Sequence, residues 1–180
     1  YGGSGAGFLA LALAVEEVAK HDNACSLILL LSALSTQPIN LSGSEEQKQR
    51  WLPRVASGEL MVAVMVTEPD YGSDSAAVNV SATPTDGGYL VTGVTTWATF
   101  AGRADVLMLL ARTYPHRDAR HRGLSVFVVD KEPAPGHSFA FTQDGGGTME
   151  GRAIDTIGYR GMHSYEVAFD RWFVPAENLI

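Results

Sequence analysis

The sequence predicts an α+β fold: a partial helical bundle followed by a β-barrel or sandwich domain. Two observations carry this. Alanine and leucine dominate up to Gly58, and valine, threonine, tyrosine and glycine replace them afterwards. Beyond Leu60, short apolar runs alternate with glycine-bearing turns, the pattern of strands in a closed barrel or sandwich. The division therefore falls into residues 1–60, helical, and 61–180, β-rich.

Each element has a local reason. Phe8–Lys20 is rich in Ala and Leu and carries Glu16, Glu17 and Lys20 on one side. Ala24–Leu34 is apolar almost all round, which predicts a fully buried helix. Gln37-Pro38 is expected to interrupt or kink it. Ser44-Glu45-Glu46-Gln47 is a capping-box pattern that starts a third helix. That helix turns Lys48, Gln49 and Arg50 outward and Trp51 and Leu52 inward, and Pro53 is expected to restart it. Met61–Thr67 reads as a strand. Val78–Thr83 and Tyr89–Thr92 flank Asp86-Gly87-Gly88, a hairpin turn. Val106–Arg112 and Leu124–Asp130 follow, joined by a basic loop. Ser138–Thr142, Ala153–Thr156 and Tyr165–Asp170 complete the strands, and Asp144-Gly145-Gly146-Gly147 reads as a flexible turn.

The chain has 180 residues, enough for one domain plus part of another. It begins in mid-loop without an initiator methionine and stops with no mark of a finished domain, so it reads as part of a longer protein. A formal net charge of −7 argues against a general surface for nucleic acid or anionic membrane. Phe8–Val15 and Ala24–Leu34 both fall short of the ~20 apolar residues that a membrane crossing requires. The single cysteine, Cys25, lies in an apolar run and reads as a buried, inert thiol. A reducing cytoplasm is the expected compartment. The five histidines show no metal-ligand spacing. Gly3-Ser4-Gly5-Ala6-Gly7 has no strand before it and Phe8 where a third glycine belongs, so it is not a dinucleotide fingerprint.

The chemistry concentrates in two places. Val64-Met65-Val66 runs into Thr67-Glu68-Pro69-Asp70-Tyr71-Gly72-Ser73-Asp74, a turn crowded with hydroxyls and carboxylates. Alone, it is ordinary turn chemistry. About one hairpin later comes Thr96-Trp97-Ala98-Thr99, in which alternation puts residues 97 and 99 on one strand face. An indole beside a hydroxyl suits a flavin: one packs on the planar ring and the other bonds a heteroatom. The basic stretch Arg117–Arg122 reads as a solvated tip, with a minority reading as a phosphate contact.

Taken in order, these segments resemble the acyl-CoA dehydrogenase family. Tyr1-Gly2-Gly3-Ser4-Gly5, Glu46-Gln47-Lys48, Thr67-Glu68-Pro69 with Gly72-Ser73-Asp74, and Gly93 to Thr99 match its motifs. So do Gly158-Tyr159-Arg160-Gly161, Phe169, Val174-Pro175 and Asn178-Leu179, so the resemblance covers the whole chain. It implies an FAD enzyme that dehydrogenates an acyl-CoA between Cα and Cβ, with a hydride passing to flavin N5. The family's catalytic base belongs to a C-terminal helical domain that does not occur in these residues, so no catalytic residue is assigned. Val64, Val66 and Thr67 would line the flavin. Ser73 would stand where the flavin meets the pantetheine channel, Trp97, Ala98 and Thr99 would cover the ring, and Ser26, Leu27 and Leu30 would border the acyl cavity. Implied partners are the acyl-CoA, an electron-transfer flavoprotein and further copies in a dimer or tetramer, with a place in fatty acid metabolism. Thr95, Ala98 and Phe100 depart from the family's usual Lys, Ile and Asn, which leaves the substrate class open. A non-catalytic subunit, an acyl-CoA oxidase and a flavin monooxygenase on the same fold are the alternatives.

Overall fold

The computed structural model describes residues 1–158 and 161–180. Three helices come first: α1 (Phe8–Ala19), α2 (Asn23–Ser42) and α3 (Glu45–Ala56). Eight strands follow among the described residues: β1 (Val62–Met65), β2 (Ser81–Thr85), β3 (Gly88–Thr99), β4 (Val106–Arg112), β5 (Leu124–Asp130), β6 (Ser138–Thr142), β7 (Thr148–Ala153) and β8 (Ser164–Pro175). They form one curled sheet in the order β1-β4-β2-β3-β8-β7-β6, with β5 paired to β4. The β1–β4 pair is parallel, and the β3–β8 and β4–β5 pairs are antiparallel.

The alternation of strand side chains feeds two cores. Ala63, Met65, Leu107, Leu109, Phe127, Val167 and Phe169 fill the interior of the sheet. Their neighbours Val62, Val106, Met108 and Val128 turn the other way and pack with Ile39, Trp51, Leu52 and Val55 of the helices. One strand thus ties both parts of the chain together, because consecutive residues point to opposite faces.

Several expectations are corrected. α2 runs unbroken through Pro38 to Ser42. Ile39, fully buried beside Trp51, holds the segment after the proline in helical register. Likewise α3 continues through Pro53, since Trp51, Leu52 and Val55 anchor it on both sides. Its capping box is formed as expected: Gln47 N–H donates to Ser44 Oγ at 3.2 Å, and Ser44 N–H donates to Gln47 Oε1 at 2.8 Å. α2 is not a fully buried helix. It buries only Ser26, Ser35 and Ile39, leaving Ile28, Leu29, Leu34 and Leu41 exposed, because α1, α3 and β1 cover one side alone. With 20 residues it is also long and apolar enough to cross a membrane by length and composition, contrary to the shorter reading. Its packing against α1, α3 and β1 makes it a helix of the domain. Cys25 is exposed, not buried. The charge of Asp22 beside it pushes the thiol pKa up, which disfavours the thiolate.

Among the strands, β2 begins only at Ser81, because the N–H groups of Asn79 and Val80 are taken by the Glu68 carboxylate instead of a neighbouring strand. Gly88 belongs to β3, so the hairpin turn is Asp86-Gly87 alone. β7 is Thr148–Ala153, not Ala153–Thr156: its register against β8, Thr148 with Asp170 to Ala153 with Tyr165, sets the position. β8 extends to Pro175 along β3. The 144–147 turn closes the β6–β7 hairpin, with Gln143 N–H donating to Gly147 O at 2.8 Å. Tyr159 and Arg160, within the Gly158–Gly161 motif, lie outside the described residues.

Candidate functional site

β1 presents two kinds of side chain. Ala63 and Met65 are fully buried, whereas Val64 and Val66 on the opposite face are half-buried. The strand then opens into the loop that begins at Thr67. Thr67 O accepts from Thr96 N–H at 2.8 Å, which joins this loop to β3. The two sequence motifs are therefore brought together by one backbone bond.

A buried carboxylate shapes the loop. Glu68, 5% exposed, accepts from Asn79 N–H at 2.7 Å and Val80 N–H at 2.6 Å. Its own backbone exchanges hydrogen bonds with Tyr71, at 2.9 and 3.2 Å. Charge-assisted bonds of this kind are about twice as strong as neutral ones. Arg112 supports the far end: its Nε donates to Val78 O at 3.0 Å and its Nη2 to Ala76 O at 2.8 Å. The basic stretch is not a free tip. Arg117 donates to Asn79 Oδ1 and Tyr71 OH, and Arg120 lies 3.5 Å from Asp74. The sequence reading missed Arg112. Its signal was a guanidinium at the end of the apolar run Val106–Ala111.

β3 carries a bulge at the second motif. Its register against β8 shifts between Thr95 and Ala98, so residues 96 and 97 stand opposite one residue of β8. Trp97 has φ 57° and Phe100 φ 72°. Left-handed backbone at bulky residues is strained by about 1–3 kcal/mol, and bulges re-aim side chains. Here the result is an indole that is 55% exposed, flanked by Thr96 and Ala98, both buried. Thr99 is half-buried, and its Oγ1 lies 3.0 Å from Ser164 Oγ.

Val64, Val66, Thr67, Trp97 and Thr99 are thus each partly or fully accessible on segments joined at Thr67 and Thr96. The Thr67 hydroxyl and N–H have no hydrogen-bond partner among the described residues. Accessible valines, an outward indole and free polar groups at one edge are the chemistry that one face of a flat heteroaromatic ring requires. A flavin fits this donor set. Ala98 differs from expectation: its side chain is fully buried in the β core, so only its backbone is available to a ring. Ser26 differs too, being 1% exposed with its hydroxyl donated to Asn23 O at 2.8 Å. Leu27 and Leu30 are half-buried beside it. Ser73 is exposed in the loop. Cavities of about 780 Å³ over β6–β8 and 580 Å³ between α1 and α2 are lined by other residues, and one of about 410 Å³ is lined by Asn79, Arg112 and Arg117 beside the loop.

The sequence profile of the acyl-CoA dehydrogenase N-terminal domain matches residues 1–59, and that of the middle domain matches residues 63–172. The chain is 35% identical to a (2S)-methylsuccinyl-CoA dehydrogenase of Cereibacter sphaeroides, covering 100% of this chain and 32% of that one. A solved glutaryl-coenzyme A dehydrogenase in complex with glutaryl-CoA superposes with TM-score 0.85 at 31% identity, over 100% of this chain and 43% of that one. An FAD complex of PigA superposes with TM-score 0.79 at 30% identity, over 99% and 44%. The chain therefore spans about a third to under half the length of these relatives. It belongs to the acyl-CoA dehydrogenase family, of which it comprises the N-terminal and middle domains.

Proposed function

We propose that this chain supplies one wall of the flavin site in an FAD-dependent acyl-CoA dehydrogenase acting between Cα and Cβ of a CoA thioester. The observation that carries the proposal is the 2.8 Å bond from Thr96 N–H to Thr67 O, which places the Thr67 loop beside the exposed indole of Trp97. Val64 and Val66 would pack on the ring, Thr67 would bond its polar edge, and Trp97 would shield it from water. The Thr99 hydroxyl would face the ring, and Ser73 would stand at the mouth of the pantetheine channel. Bound FAD would supply the hydride acceptor for the β-hydrogen. Glu68 is not the base that takes the α-proton, because its carboxylate already accepts from Asn79 and Val80 N–H. We extend the reading to an electron-transfer flavoprotein as acceptor and to a dimer or tetramer, on the strength of family membership alone.

The test is anaerobic addition of a CoA thioester to purified full-length protein. Yellow protein that is bleached supports the proposal; colourless protein that gains no flavin on reconstitution overturns it. In a parallel run in air with no other acceptor, hydrogen peroxide release, with O2 taking the two electrons from reduced flavin, would assign an acyl-CoA oxidase instead.

A further inference from the structure

Ser164 opens β8 opposite Thr99, and the two are register partners across the β3–β8 ladder. The adjoining bond from Phe100 N–H to His163 O, at 2.9 Å, fixes the strand ends at this point. Ser164 is 2% exposed, and its Oγ lies 3.0 Å from Thr99 Oγ1. Neither hydroxyl has another hydrogen-bond partner among the described residues. Two hydroxyls in contact share one hydrogen between them, so one donates and the other must direct its own proton elsewhere. The buried member has nowhere else to place its proton, and a buried donor without an acceptor costs free energy. Half-buried Thr99 can turn its proton outward.

We propose that Ser164 is a positioning residue that donates to Thr99 Oγ1 and so makes the Thr99 hydroxyl a donor toward the cofactor face. The inference rests on the flavin reading above. Ser164 does not touch the ring. It fixes the rotamer of the group that does, and accepting a bond polarises the Thr99 hydroxyl toward donating one.

The experiment compares wild-type, Ser164→Ala, Ser164→Cys and Ser164→Thr full-length proteins, each alone and with Thr99→Val. FAD affinity of the apoprotein and the visible absorption bands of bound flavin are the readouts. Ser164→Ala and Ser164→Cys are expected to weaken FAD binding about 2- to 10-fold, the range of one neutral hydrogen bond, and to displace the flavin bands. Ser164→Thr keeps the hydroxyl and is expected to restore both. In the Thr99→Val background, Ser164→Ala should add nothing, because the group it positions is gone. Wild-type protein that binds FAD while Ser164→Ala matches it overturns the positioning role alone. So does a Ser164→Ala effect of equal size in the Thr99→Val background. Wild-type protein that binds no FAD overturns the flavin reading itself.

Discussion

At the scale of single residues, the loop depends on a buried carboxylate. Glu68 accepts from two backbone N–H groups while 5% exposed. Glu68→Gln removes the charge and turns one acceptor into a donor facing donors. We expect a loss of about 2–3 kcal/mol in denaturant unfolding, together with weaker FAD binding. Trp97 makes the opposite case. At φ 57° a glycine rests without strain, so Trp97→Gly should hold or raise stability by up to about 1 kcal/mol and still weaken FAD binding. A fall in both would mean that the indole supports the fold. Lys131 gives a pH signature. Its Nζ donates to Gly102 O and Glu132 O at 2.9 and 2.8 Å, yet burial lowers its pKa to about 8, against the opposing pull of Asp105. Below pH 8 the folded state bears the desolvated charge. As pH rises from about 8 toward 10.5 that penalty is relieved, so stability should rise. The group is partly exposed, which limits the gain to about 1 kcal/mol. Lys131→Met should lack this rise when melting is followed across that window.

At the scale of elements, the strands were legible wherever turn chemistry bounded an apolar run. β4, β5 and β6 have the limits that the sequence predicts. β7 was misplaced because Thr148-Met149-Glu150-Gly151-Arg152 has little apolar content and owes its strand to pairing on both sides. The helices were misread at their prolines for a related reason. Pro38 and Pro53 break local rules, but Ile39, Trp51, Leu52 and Val55 pack tightly enough to carry the helix across. Trp51→Ala should therefore destabilise by about 3–5 kcal/mol in thermal or denaturant unfolding, whereas an exposed change such as Leu41→Gln should stay within about 0.5 kcal/mol. The β3 bulge at Trp97 was not legible, since nothing in the residue types there announces it, whereas the one at Gly93 carries a glycine inside the strand as its signal. At Gly93, φ is 141° and an added Cβ would stand 2.9 Å from Val80 Cα. Gly93→Ala should lose about 1–3 kcal/mol.

At the scale of the whole molecule, one sheet packs against the helices on one side and fills its own interior on the other. The motifs around Thr67 and Trp97 could be named from sequence, but the way they join could not. It depends on the Thr96–Thr67 backbone bond and on the left-handed turn at Trp97. Ala98 and Ser26 show the limit of motif reading, because a position inside a motif can still turn its side chain to the core. The exposed apolar side of α2 is consistent with a chain that spans only part of its relatives' length. The most direct test of the central claim is an FAD titration of full-length apoprotein carrying Val66→Asp against the wild type, with circular dichroism confirming an unchanged fold. Val66 is half-buried on the side proposed for the ring, so a carboxylate there should weaken FAD binding at least about 100-fold, as a charge held against an apolar ring would. Equal affinities would contradict the account.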